Sequence, residues 1–440
     1  MSLYYKHSLY IMTKPMTKPK PDNTKSWNIL VGDCRDQLKE LPDQSVHTIW
    51  TSPPYFGLRD YDQADQIGLE PSPEEFVEAM TLVMDECMRV LRDDGTLWLN
   101  IGDSYSSKKD KQLLGIPWKV AFALQERGWI LRNDIIWAKG ISGQKDFTLS
   151  MKDAMLRKGI DPQVVRSILS EMTLTSGNAM PESVTDRSTY SHEYMFLFSK
   201  KKKYYYDHHA IKDPQVLLDG TRNRRSVWCV PTKPFGGAHH ATAPLDLVTP
   251  CIQASTSEKG CCSQCGAPYI RDVEVLGSDS EPLDQRDTGR IRQPGNSPIK
   301  TSSFGNGREI IEKGWKPGCP CKGSSSSSLS SSSSGSPSSS GSSSSLSSSS
   351  SGSPSIVPCT VLDPFAGAAT TLLAADHLGR NSIGIELNPD YALIAEDRLM
   401  TYRSTLPPLS DRYIPLESDN ELEDEFDSVT DLFNKEEGGG

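Results

Sequence analysis

Two close pairs of cysteines, Cys262-x-x-Cys265 and Cys319-x-Cys321, are the first residues in this chain of 440 whose spacing suggests chemistry. Four thiolates suit a tetrahedral structural Zn²⁺. Cys265 followed by Gly266 has the shape of a zinc knuckle; the second pair is tighter, and the adjacent Cys261 is an alternative ligand. Solvent-exposed or redox-active cysteines are the other reading. The remaining cysteines, Cys34, Cys87, Cys229, Cys251 and Cys359, are scattered and read as small buried apolar residues. The first 25 residues do not read as a secretory leader, and in an intracellular chain paired cysteines favour metal over disulfides.

A second constellation is "TSPPY", residues 51–55, directly after the apolar run "SVHTIW". Proline cannot donate to a sheet ladder and restricts the residue before it, so a strand must stop at Thr51. The stiff turn that follows carries Ser52, two prolines and Tyr55. By itself it is either a plain strand exit or the floor of a pocket for something flat.

The third is "VLDPFAGAATT", residues 361–371, which sets an acid and small residues at the end of a strand that opens into a helix. Open α/β sheets bind ligands there, because small residues let a cofactor approach the backbone and the helix N-terminus. Glu386 follows 23 residues after Asp363, again at a strand end, a spacing that suits ribose hydroxyls. A tight structural turn would also explain the small residues. Together the two features favour a nucleoside-containing cofactor.

The elements around these residues alternate. "WNILVGDC" and "SVHTIW" read as strands. Ser72 and Glu75 form a capping box with Pro73 at the first helical position, and Phe76, Met80, Val83, Met84, Cys87 and Leu91 keep helical spacing up to Gly95. "TLWLNI" is a strand, "GIPWKVAFALQERG" a helix, "WILRNDIIWAKG" a strand. The pattern returns at "CTVLDPFAGAATTLLAADHLG" and "NSIGIELNPDYALIAEDRLM". Strands alternating with amphipathic helices predict a parallel, doubly wound α/β sheet assembled from two separated parts. Between them, 145–178 reads as helical and 193–206, "EYMFLFSKKKKYYY", as paired strands. Residues 325–338 and 342–355 repeat "SSSSLSSSSSGSPS"; Ser, Gly and an occasional Pro cannot build a core, so this is a linker.

With these residues in hand, "DPFAGAATT" and "TSPPY" resemble motifs I and IV of the amino-group DNA methyltransferases that use S-adenosylmethionine. The catalytic motif precedes the cofactor motif, which resembles the circularly permuted β class of that family. "VGDC", "GTLWLNIGDSY", "WILRNDIIWAKG", "MPESVTDRSTYSHEYMFLFSKKKKYYYD" and "GGAHHATAPLDLVTPCI" are similar to further blocks of that class, the last to its motif X. The resemblance implies a permuted Rossmann-like methyltransferase sheet with an inserted recognition region, beside a small zinc module. Its expected organisation is a disordered leader (1–26), a catalytic half (27–140) and a DNA target-recognition region with core strands (141–238). A motif X helix (239–255), a zinc-binding insertion (256–323), a Ser-rich linker (324–355), a cofactor-binding half (356–405) and a disordered acidic tail (406–440) follow.

The same resemblance implies roles. Ser52 Oγ and the Pro53 carbonyl would accept hydrogen bonds from the target amino group, Pro54 would keep the turn rigid, and Tyr55 would stack on the flipped base. Asp363, Phe365, Gly367 and Thr370 would line the cofactor, its methionine end above all; Glu386 would take its ribose and Asp33 would lie near its adenine. The family usually has Gly where this chain has Ala369, which is costly if that backbone needs a positive φ. Serine at position 52 is commonest in cytosine-N4 members, so N4 of cytosine is the expected target and adenine N6 the alternative. A catalytically decayed DNA-binding protein, or an RNA or protein methyltransferase, would be a different class of answer.

Charge permits DNA as the partner. Residues 411–440 hold 11 acids and 2 bases, which leaves about −1 of the formal −10 for the rest. Lys201 and Lys202 in "KKKK" and Arg222, Arg224 and Arg225 in "TRNRRS" are the expected phosphate contacts on double-stranded DNA. No apolar run approaches the roughly 20 residues of a membrane helix. The expected setting is intracellular, nuclear in a eukaryotic host and otherwise cytoplasm or nucleoid; the serine repeat and acidic tail hint at the former. The oligomeric state and the recognised DNA sequence stay open.

Overall fold

The computed structural model describes residues 25–61, 63, 65–106, 111–139, 152–165, 184–214, 221–232, 242–276, 309–321 and 355–405. Nearly all of the leader, linker and tail expected at 1–26, 324–355 and 406–440 lies outside these residues, as does His239 of the motif X block. The strands are β1 (Trp27–Val31), β2 (Val46–Thr51), β3 (Leu91–Ile101), β4 (Ile130–Ala138), β5 (His192–Ser199), β6 (Asp213–Pro214) and β7 (Thr221–Arg222). They continue as β8 (Val227–Cys229), β9 (Cys261–Cys262), β10 (Tyr269–Leu276), β11 (Glu309–Pro317), β12 (Ile356–Val357), β13 (Thr360–Asp363) and β14 (Asn381–Glu386). The helices are α1 (Cys34–Gln37), α2 (Pro73–Val90), α3 (Ile116–Glu126), α4 (Leu245–Ser255), α5 (Thr370–His377) and α6 (Pro389–Thr405).

Eight strands form one sheet in the order β1-β14-β13-β2-β3-β5-β4-β8. β13 and β14 enter between β1 and β2, although they come more than three hundred residues later in the chain. Neighbours run parallel except at β5, which is antiparallel to both β3 and β4. The parallel sheet expected from the sequence therefore carries one reversed strand.

Side chains on a strand alternate between faces, and both faces here are covered, so the central strands read as continuous apolar runs. Ile49, Leu97, Leu99, Phe196 and Phe198 face α2 and α3, where Phe76, Met80, Val83, Met84 and Cys87 carry the helical spacing. Trp50, Trp98, Met195 and Leu197 face the other way, towards Leu247, Val248, Cys251 and Ile252 of α4. Each such large side chain, fully buried, contributes about 1.5–3 kcal/mol. α5 and α6 close the sheet over β1 through Leu372, Leu373, Ala395 and Leu399 around Trp27. Among the described residues no helix is long and apolar enough to cross a membrane.

Several expectations are corrected by packing. α2 starts as predicted, with Ser72 Oγ accepting from Glu75 N at 3.3 Å, but it ends at Val90 rather than at Gly95 because Leu91 already turns into extended backbone. The hairpin expected at 193–206 is one strand only. β5 is already flanked by β3 and β4, so no free edge remains; the chain turns at 200–203, and Tyr206 stacks against Trp98 at 6.5 Å. In the 145–178 segment, 152–157 and 162–165 are helical, and 145–151 and 166–178 lie outside the described residues. Cys229, expected to be buried, is exposed on the edge strand.

Candidate active site

Because β1, β14, β13 and β2 are parallel neighbours, their carboxyl ends lie along one edge of the sheet. Each of the sequence motifs leaves from one of those ends. β2 runs into Ser52-Pro-Pro-Tyr55, β13 ends at Asp363, β14 ends at Glu386, and Asp33 follows β1. Residues from opposite ends of the chain thus meet where open α/β sheets bind ligands.

Asp363 is enclosed. Its carboxylate accepts from Thr51 Oγ1 at 2.8 Å, Phe365 N at 3.0 Å and Thr371 Oγ1 at 2.5 Å. Burial nevertheless pushes its pKa up to about 6, against those hydrogen bonds. The carboxylate therefore fixes the turn after β13 and locks it to the end of β2. Gly367 has φ +50° and donates its N–H to Glu386 Oε2 at 2.8 Å, while Glu386 Oε1 accepts from Asn388 N at 2.9 Å. Burial also raises the Glu386 pKa. Ala369 caps α5 with φ +60°, a left-handed conformation in a fully buried alanine, and Thr370 opens the helix. Arg398 of α6 donates to Ala368 O at 2.6 Å and to Thr370 Oγ1 at 2.9 Å, holding the turn from outside.

Asp33 caps α1 by accepting from Arg35 N at 2.8 Å. Burial pushes its pKa up, but the hydrogen bonds and charge of Arg35 outweigh that and hold it below the usual carboxylate value. Gly32 N donates to Glu386 O at 2.9 Å, which keeps this loop beside the end of β14.

The prolines keep 52–55 out of the ladder, and the turn that follows is closed by Gly57 N on Gly68 O at 2.7 Å. The Tyr55 ring packs on the backbone of Gly102, where an added Cβ would lie 2.6 Å from Tyr55 Cε2. Tyr55 OH donates to Glu193 Oε2 at 2.6 Å and lies 3.3 Å from Ser52 Oγ. Asn100 Nδ2 donates to the same Glu193 oxygen at 3.1 Å, and Lys139 pairs with Glu193 Oε1. Burial first, then the Glu193 charge, raises the Tyr55 pKa well above the phenol value. Sequence reasoning read Thr51 only as a strand stop and missed Gly102, Asn100, Lys139, Glu193 and Arg398. Each stands in or beside a recognised block, but its role depends on which strands become neighbours.

The expected basic residues stand just after β5 and just before β8. β5 runs against the parallel strands, so Lys201 and Lys202, just past its end, are exposed at the edge opposite the motif turns. Lys200 beside them pairs with Asp93 at 3.1 Å. Arg224 lies 4.1 Å over the Trp228 ring and Arg225 O accepts from Trp228 Nε1 at 2.7 Å, so this stretch anchors the edge strand. Arg222 and Arg225 are exposed.

The Sγ atoms of Cys262, Cys265, Cys319 and Cys321 lie within 4.8 Å of one another. Thiolates on a tetrahedral Zn²⁺ at about 2.3 Å stand roughly 3.8 Å apart, so the four fit such an ion with small adjustments. Cys261 points to the other face of β9, where its Sγ lies 3.4 Å from Val357 O in a buried group with His47 and Cys359. His47 has no nitrogen free there. Nδ1 accepts from Thr360 N at 3.0 Å, so Nε2 carries the proton and donates to Gly266 O at 2.9 Å. This ring joins β2, β13 and the cysteine knuckle. Arg92 of β3 holds the same knuckle through Cys265 O at 2.8 Å.

The sequence model of a family described as DNA methylase (N6_N4_Mtase) matches residues 46–263 and 356–397 and leaves out 264–355. Type II methyltransferase M.Cfr9I of Citrobacter freundii is 40% identical over 277 residues, covering 57% of this chain and 80% of that protein. M.XycI of Xanthomonas campestris pv. cyanopsidis is 41% identical over 265 residues, 54% of this chain and 76% of that protein. M.SmaI of Serratia marcescens is 37% identical over 266 residues, 54% and 78% respectively.

Proposed function

The chain belongs to the N6/N4 DNA methylase family, and from that premise we propose that it transfers a methyl group from S-adenosylmethionine to N4 of a cytosine flipped out of duplex DNA. The observation that carries this reading is the meeting of the Ser52–Tyr55 turn and the Asp363–Gly367 turn at neighbouring strand ends, tied by Thr51 and Asp363. The chain order of β2 before β13, with the reverse order expected of an unpermuted sheet, supports assignment to the circularly permuted class.

An exocyclic amino nitrogen is a weak nucleophile because its lone pair is delocalised into the ring. Accepting its hydrogen bonds at Ser52 Oγ and the Pro53 carbonyl localises that pair and aligns it, a matter of orientation and preorganised acceptors. Pro53 and Pro54 keep the acceptors rigid, and Tyr55 stacks on the base. The bound cofactor supplies an electrophilic methyl sulfonium. On this reading the backbone around Phe365 and Gly367, with Asp363 and Thr370 behind it, receives the methionine end. Glu386 takes the ribose hydroxyls, and Asp33 borders the adenine.

The domain boundaries expected from the sequence belong to the same proposal, with 141–238 as the recognition region. Exposed Arg222 and Arg225, with Arg224 beside them, and exposed Lys201 and Lys202 contact DNA phosphates. Cys262, Cys265, Cys319 and Cys321 hold one structural Zn²⁺, which would supply a fold constraint and no chemistry, since four protein thiolates close its coordination.

The deciding experiment is mass spectrometry of nucleosides from unmethylated DNA incubated with the pure protein and S-adenosylmethionine, with Ser52→Ala, Tyr55→Ala as the blank. N4-methylcytosine above that blank is the expected product. N6-methyladenine would keep the enzyme and overturn the reading of Ser52. No methylated base would leave a DNA-binding protein with a decayed site.

A further inference from the structure

We propose that Glu193 is a positioning residue that sets the direction of the hydrogen bonds through Tyr55, so that Ser52 meets the target base as an acceptor. The inference rests on the methyl-transfer reading of the same site. A serine hydroxyl is ambivalent, offering one donor and two acceptor lone pairs. Only the acceptor role activates an amino group. A Ser52 hydroxyl that pointed its hydrogen at the base would compete with the amino hydrogens for the space they need.

The ambivalence is removed at the far end of the chain of groups. Glu193 is 8% exposed and its carboxylate pairs with Lys139; a carboxylate has acceptor capacity only. Asn100, 1% exposed, donates its amide to Glu193 Oε2 at 3.1 Å, which fixes that oxygen in place. Tyr55 OH must therefore spend its single hydrogen on Glu193, at 2.6 Å. The phenol oxygen is left with lone pairs alone, so across the 3.3 Å gap the Ser52 hydroxyl is the donor. With its hydrogen spent on Tyr55, Ser52 Oγ turns its remaining lone pairs outward. The 3.3 Å contact is the loose link, and catalytic hydrogen bonds often tighten when substrate binds. The other groups that face Tyr55 are Tyr61 and Ser52; neither supplies a competing charge.

The arrangement explains why a tyrosine that stacks on a base is tied by its hydroxyl to a buried ion pair. Stacking alone would be served by phenylalanine. The hydroxyl would otherwise be a liability in a pocket built to accept.

The test uses the full chain and two variants that keep shape, Glu193→Gln and Tyr55→Phe, alone and together. A glutamine can donate to Tyr55 and reverse the chain; phenylalanine keeps the stacking face and cuts it. The expected result is a kcat at least tenfold lower in each single variant, with KM for S-adenosylmethionine and for DNA changed less than twofold. The double variant should be no slower than the slower single one. Wild-type kcat in Glu193→Gln, or effects that multiply in the double variant, would overturn the proposal. A readout independent of turnover is ¹³Cζ-tyrosine NMR of Tyr55 across an alkaline titration. In a Glu193→Gln chain that keeps the wild-type near-UV circular dichroism, loss of the Glu193 charge should let Tyr55 ionise at lower pH than in the wild type, and an unchanged titration would overturn the proposal. A wild-type chain that transfers no methyl to DNA, yet shows the Tyr55 shift, would sink the functional reading and leave the hydrogen-bond direction standing.

Discussion

Thr51 Oγ1 and Asp363 Oδ1 lie 2.8 Å apart although 312 residues separate them. Thr51 is the last residue of β2 and Asp363 the last of β13, so this bond joins the strand that runs into Ser52–Tyr55 to the strand that runs into Phe365–Gly367. Its acceptor is a carboxylate with no solvent to stabilise its charge. The distance between the two turns is therefore held by a group whose ionisation the fold itself opposes.

A pH dependence follows. The folded pKa of Asp363 is about 6, above the ordinary 3.8, so the native state binds this proton more tightly than the unfolded chain. Stability from this group is complete below the unfolded value and is lost as pH rises through the folded one. The loss is about 1.4 kcal/mol for each pH unit that separates the two values. Asp363→Asn cannot ionise and can keep the Thr51, Phe365 and Thr371 partners. Its stability relative to the wild type should improve by on the order of 3 kcal/mol between pH 4 and pH 7. Urea midpoints at pH 4, 5.5 and 7 check this; a difference constant across that range would show that burial leaves the acid at its ordinary value.

Gly102 is predicted to be intolerant of a methyl group. The added Cβ of Gly102→Ala would sit 2.6 Å from Tyr55 Cε2, and the ring would have to move. A displacement near 1 Å at a reacting group can cost about a hundredfold in rate. Methyl transfer by Gly102→Ala should fall at least tenfold while S-adenosylmethionine affinity, measured by calorimetry, changes little. A variant with wild-type turnover would mean that Tyr55 is not held by this packing.

Much of this was legible in the residues. The capping box at Ser72, the strand stops at Thr51 and Asp363 and the cysteine pairs are local signals, each set by a few neighbouring side chains. What the sequence hides is adjacency. Nothing near Glu193 announces that β5 runs backwards between β3 and β4, yet that reversal brings Glu193 to Tyr55 and carries Lys201 and Lys202 to the opposite edge. His47 likewise reads as one buried residue of an apolar strand until its two nitrogens are found on Thr360 and Gly266.

The placement of the basic residues makes a separable prediction about DNA affinity. Each phosphate that is no longer neutralised should flatten the slope of log K against log salt by about 0.9. Arg222→Ala, Arg225→Ala should flatten it by nearly two such steps. Lys201→Ala, Lys202→Ala should flatten it by as much. A pair whose removal leaves the slope unchanged, read from fluorescence anisotropy over a salt series, would drop out of the DNA contact.

Ala369 raises the question of decay, and magnitudes answer it. Left-handed backbone costs an L-residue roughly 1–2 kcal/mol, but a glycine there would lose about 0.5–1 kcal/mol in added chain entropy. It would also forfeit a fully buried methyl, about 0.8 kcal/mol. The terms nearly cancel, so Ala369→Gly should change stability by less than about 1 kcal/mol and cofactor affinity by less than threefold. Ala369→Val, β-branched at φ +60°, should destabilise by more than about 2 kcal/mol. Tight cofactor binding that appears only in the glycine variant would instead favour a decayed site.

The cysteine cluster should hold one zinc per chain, and its loss should be felt at the strands beside the active site. His47 is the link, because its ring spans Thr360 N of β13 and Gly266 O of the knuckle. Cys262→Ser should lose the metal, measured by elemental analysis, and lower the thermal midpoint. His47→Ala leaves a buried N–H and a carbonyl without their partner, at about 1–3 kcal/mol for each. It should keep the zinc at equilibrium but release it faster to a coloured chelator, since the knuckle is then left with Arg92 and the pairing of β9 with β12. Equal release rates in His47→Ala and wild type would show that the knuckle is held independently of β2. A purified chain free of metal, with an unchanged midpoint on added chelator, would remove zinc from the account of this fold.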